Sequence, residues 1–102
     1  MKRISGTVAY KDGQRVDVSG YLLKIEGFDS DFIIHKHPFH NHITEGQWCV
    51  TERETGLGLP INQAFTRVDA EQYARKLLDP IGPIKFKEIL EANKVHLNKN
   101  KK

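Results

Sequence analysis

Four of the chain's five histidines fall within eight residues, His35-Lys36-His37-Pro38-Phe39-His40-Asn41-His42. Imidazole titrates near neutral pH and ligates transition metals, and the single thiol, Cys49, follows shortly after. On an extended strand His35 and His37 project from one face. If Phe32, Ile34, Trp48 and Val50 face the core, then His35, His37 and Cys49 face away from it. The connection from Pro38 to Gly46 is symmetric about His42, so a hairpin register centred there sets His35 opposite Cys49. Paired Cβ atoms lie about 4.5–5.5 Å apart, and zinc takes sulfur at about 2.3 Å and imidazole nitrogen at about 2.0–2.1 Å. The pattern therefore predicts one structural Zn²⁺ held by His35, His37 and Cys49, with His40 or His42 brought in by the loop. Such an ion contributes on the order of 10 kcal/mol in small zinc peptides. The alternative is a hydrophilic loop of solvated histidines with Cys49 as a small buried hydrophobe.

Catalytic constellations that share these residues do not fit. The string His40-Asn41-His42 spells a nuclease motif whose residues are dispersed over a ββα unit rather than adjacent. The His-x-His of metallo-hydrolases needs an Asp that is absent here, and that of cupins needs a Glu where His42 stands. Cys49 beside a histidine gives a thiolate nucleophile only with a cleft and an orienting group. The chain reads as a non-enzyme.

The elements that must position these residues begin with alternation from Arg3 to Tyr10, and Lys11-Asp12-Gly13-Gln14 then favours a tight reversal. Arg15 to Glu26 returns as a second strand, with Gly20 where a bulge can form. Phe32 to His35 and Gln47 to Glu52 make a third and fourth, and Leu57 to Ile61 a short edge strand. Past Ile61 the period changes: Ala70, Tyr73, Ala74, Leu77 and Leu78 fall on one helical face, with Thr66 or Asp69 as cap. Asp79-Pro80 ends this helix, Gly82-Pro83 starts another, and Phe86, Ile89 and Leu90 make its buried stripe. The expectation is an α+β fold, an antiparallel meander of four to five strands with two C-terminal helices on one face. Residues 1–97 form a single domain and 98–102 a disordered Lys/Asn-rich tail.

The chain has 102 residues with 16 Lys and Arg against 13 Asp and Glu, a formal charge of +3. Residues 85–102 carry six lysines against two glutamates, which is +4 and leaves −1 for residues 1–84. The surplus is terminal and the body balanced, which argues against direct nucleic-acid binding, since binders usually carry a basic stripe on the fold. One cysteine excludes an internal disulfide, and no apolar run approaches the roughly 20 residues of a membrane span. A cytoplasmic protein is expected.

Without a phosphate loop, dinucleotide fingerprint or acid pair, binding is a better expectation than turnover. Candidate surface features are the aromatics Tyr10, Tyr21 and Phe39 and the acidic set Asp29, Asp31, Glu45, Glu52 and Glu54. The segment Trp48-Cys49-Val50-Thr51-Glu52-Arg53-Glu54-Thr55-Gly56, followed by a capped helix, resembles small proteins of phages and mobile elements. Among those with a role, the plan and the histidine cluster are most similar to phage-encoded anti-CRISPR inhibitors of type II effector nucleases. That resemblance implies a bacterial-host cytoplasm, a type II CRISPR effector as protein partner, and a steric block of nucleic-acid loading or cleavage. The runner-up is a phage or mobile-element nucleic-acid-binding regulator that places Lys94 to Lys102 on phosphates.

Overall fold

The computed structural model describes residues 2–9, 13–37, 46–61 and 64–99, the last seven as backbone only. Four strands, β1 (Arg3–Ala9), β2 (Arg15–Lys24), β3 (Asp31–Lys36) and β4 (Trp48–Glu52), form one antiparallel sheet in the order β1-β2-β3-β4. The meander is as expected. Ile34 pairs with Val50 and His35 with Cys49, the register set by symmetry about His42. In place of a fifth strand, Leu57–Ile61 runs along the outer edge of β4 through a single bridge, Thr51 to Gly58. Glu52 N–H donates to the Leu57 carbonyl and Trp48 N–H to that of Ala64, so this edge is covered without a regular ladder.

Helix α1 (Arg67–Lys99) is one helical element where two were expected, interrupted at Gly82 (φ 78°, ψ 160°). Thr66 caps it, its hydroxyl accepting from Asp69 N–H at 3.0 Å. The helix runs past Asp79-Pro80 as far as Ile81. Pro80 and Pro83 remove two ladder donors within a turn, and Gly82 alone can take the left-handed φ that absorbs the break. The expected tail begins inside the last turn of α1, and residues 100–102 lie outside the described residues. Among the described residues no helix is long and apolar enough to cross a membrane.

Both faces of the sheet bury side chains. Leu23, Phe32, Ile34 and Val50 meet Ala70, Ala74, Leu78, Phe86 and Leu90 of α1 in the main core. Tyr73, expected on that stripe, is 38% exposed instead. On the opposite face Val8, Val18 and Ile33 form a second cluster with Ile4. That face is closed because β1 curls toward the turn after β4: Ala9 N–H donates to Gly56 O at 3.0 Å, and Arg15 bridges Thr7 Oγ1 and the Thr55 carbonyl. Gly20 makes no bulge. It pairs in register with Ile4 and His35, and a Cβ there would collide with the Ile34 carbonyl.

Candidate nucleic-acid interface

His35 lies opposite Cys49, on the face turned from α1 as expected, but the second cluster leaves it 1% exposed. Gly20 sets no side chain across from it on β2. One ring nitrogen, Nδ1, lies 2.8 Å from the Lys36 carbonyl, which only accepts, so Nδ1 carries the proton. Nε2 then accepts from the Thr51 hydroxyl at 2.7 Å. The neutral ring is fully satisfied. Burial holds its pKa below the ordinary histidine range and neighbouring His37 adds to this, while the Lys36 carbonyl works the other way. A metal on His35 would have to take Nε2 from Thr51 or Nδ1 from the carbonyl.

The half-buried Cys49 thiol is pushed up by burial, which keeps it protonated near neutral pH and argues against a nucleophilic thiolate. His37 is half-buried just past β3, its N–H donating to the Gln47 carbonyl. Among the described residues no three His, Cys, Asp or Glu side chains form a group able to hold a metal. His40 and His42, and with them Tyr10, Phe39 and Glu45, lie outside the described residues.

A different constellation occupies the helix side of the sheet, beyond the start of α1. The hairpin registers pair Arg3 with Tyr21 and Lys36 with Trp48. The Tyr21 and Trp48 rings stand 6.4 Å apart at 37°, forming one aromatic wall. Cations lie on both: Arg3 is 5.3 Å and Arg67 4.4 Å from the Tyr21 centroid, and Lys36 is 5.7 Å from that of Trp48. The wall bounds a groove of about 560 Å³ that Asp17, Ser19 and His37 also line. Asp17 and Ser19, short helix-side residues of β2, supply its polar side chains, and Val16, Val18 and Gly20 of the same strand also line it. Phe65, 57% exposed, lies in the chain between Ala64, whose carbonyl accepts from Trp48 N–H, and Arg67.

The opposite end of the sheet is acidic. Glu52, 1% exposed, accepts from Glu54 N–H at 2.9 Å and from Thr55 N–H and Oγ1–H at 2.8 Å each. Asp31 pairs with Lys24 at 3.0 Å. Asp29, Ser30 and Glu54, with Arg53 among them, line a shallow cleft beside them.

Of this groove, sequence reasoning singled out only Tyr21 as a surface feature. Arg3 and Lys36 follow from the two hairpin registers once these are applied to the helix face, whereas nothing local ties Arg67 to Tyr21. Set against protein-family models, curated proteins and solved structures, the chain matches none, so the reading of its function rests on this geometry.

Proposed function

We propose that the protein is a non-catalytic nucleic-acid-binding domain whose working surface is the groove over Tyr21 and Trp48. The observation that carries this reading is the seating of Arg3, Lys36 and Arg67 on two adjacent aromatic rings. The rings hold these cations in place, with one Arg3 N–H also donated to the Tyr21 hydroxyl at 3.4 Å, which reduces the side-chain entropy lost on gripping a phosphate. Basic side chains interleaved with aromatics are what nucleic acid requires, charge for the backbone and π-faces for bases. Turnover has less support, since His35 has both nitrogens engaged and the Cys49 thiol stays protonated.

The test is oligonucleotide binding measured across salt concentration. Three phosphate contacts give a slope of log K against log salt of about −2 on a single strand, at roughly 0.7 per contact. Exchanging Arg3 and Lys36 together for glutamate abolishes binding, while truncation after residue 97 leaves the groove's contribution. Binding that survives the charge reversal and disappears with the tail would transfer the function to the terminal lysines. Failure to bind any oligonucleotide, together with inhibition of a purified type II CRISPR effector in a cleavage assay, would replace this reading with the protein-binding inhibitor.

A further inference from the structure

The groove of a phosphate binder contains one group that phosphate does not explain. Asp17 lines it together with Arg3, Lys36, Tyr21 and Trp48, and a carboxylate repels a phosphate. It attracts the amino group of a base, as carboxylates do with cytosine N4. We infer that the groove takes a single-stranded nucleotide, its phosphates on Arg3 and Lys36 of the groove and on Arg67 beside Tyr21, its base against the Trp48 wall and a base amino group on Asp17. This rests on the nucleic-acid reading and specifies which form is bound.

Three further observations carry it. First, the rings are half-buried in the sheet with cations over their faces. An unpaired base therefore meets an arginine guanidinium plane or a ring face that a cation vacates for phosphate, surfaces that a duplex, with its bases stacked inside, cannot use. Second, a base held between two rings needs about 7 Å, two van der Waals separations, and parallel planes. At 6.4 Å and 37° Tyr21 and Trp48 do not admit one between them, so the base lies along the wall and reaches the floor of the groove. Third, the groove lining includes hydrogen-bonding side chains beside Val16 and Val18: Ser19 and Asp17 stand two and four residues before Tyr21 on β2, on the same face of the sheet. The volume of about 560 Å³ lies within the roughly 300–1,000 Å³ of small-molecule sites.

Trp48 is the chain's only tryptophan, so its fluorescence reports this site alone. Titration at slightly alkaline pH with oligo(dC), oligo(dT) and a mixed-sequence duplex is expected to show quenching by the single strands. Oligo(dC) should bind at least about fivefold more tightly than oligo(dT), a typical gain for one charge-assisted base contact. Asp17→Asn, on an exposed strand position where folding is little affected, should raise oligo(dT) affinity and narrow the ratio to under about twofold. Trp48→Phe keeps a stacking face and most of the affinity; its folding can be checked by the far-ultraviolet spectrum. Duplex binding as tight as single-strand binding without Trp48 quenching, or a dC/dT ratio unchanged by Asp17→Asn, would overturn the inference and leave nucleic-acid binding standing. Absence of binding to all three would remove both.

Discussion

The two ends of the β3–β4 hairpin use charge in opposite ways. From Asp31 to Lys36 the strand runs about 17 Å at the usual rise. At the Asp31 end the charge is turned inward, with Glu52 buried and accepting three hydrogen bonds that shape the turn after β4. At the Lys36 end it is held outward: Arg3, Lys36 and Arg67 rest on aromatic rings, with one Arg3 N–H donated to the Tyr21 hydroxyl. A charged side chain whose bonds are all internal belongs to the fold, while one positioned but not consumed belongs to a binding surface.

The largest expected effect tests the inward end. Glu52→Ala leaves two backbone N–H groups and a hydroxyl without their acceptor, at a cost of about 3 kcal/mol. At roughly 4–8 °C per kcal/mol for a domain of this size, melting should fall by more than about 10 °C. Oligonucleotide affinity below that transition should stay within about twofold; a large loss would show that the two ends are not independent.

His35 gives an intermediate effect, because it is as fully engaged as Glu52 although it lies toward the outward end. Thr51→Val removes the donor to Nε2 and should cost about 1–3 kcal/mol in a urea melt at neutral pH. The pH dependence has a definite sign. Burial places the folded pKa below the unfolded value of about 6.5, so the unfolded chain takes up the proton first. Stability is full above about pH 6.5 and declines as pH falls below it toward the folded pKa. His35→Gln should flatten this acid limb; an unchanged limb would assign it to other histidines.

The smallest effect on stability sharpens the outward end. Lys36→Ala should change folding stability by less than about 0.5 kcal/mol and reduce the salt slope of single-strand binding by roughly 0.7, one phosphate contact. A stability loss comparable to that of Thr51→Val would mean that Lys36 supports the sheet rather than serving the groove.

Much of the fold was legible in the chain. Alternation marked the strands, symmetry about His42 fixed the His35–Cys49 pairing, and one of the two cap candidates, Thr66 rather than Asp69, starts α1. The candidate site was less legible. His35 and Cys49 were correctly paired and correctly turned from the helix, yet strand alternation carries no information about whether the far face is open. Here β1 curls over it, and a histidine assigned to surface chemistry becomes a core residue held by Thr51 and Lys36. The choice between one helical element and two turned on whether Pro80 ends the helix; Gly82 takes the break two residues later.

Charge shows the same division. The sequence by itself determined the totals, +3 overall and −1 for residues 1–84, along with the strand periods and the residues that pair across the β3–β4 hairpin, because these depend on neighbours along the chain. Only the tertiary structure decided how that nearly neutral body is arranged. It brings Arg3, Lys36 and Arg67 to one end and Asp31, Glu52 and Glu54 to the other, although the two kinds alternate along the chain. A sum over residues cannot detect this separation, since it arises from sheet register and the docking of α1, which join residues as far apart as Tyr21 and Arg67.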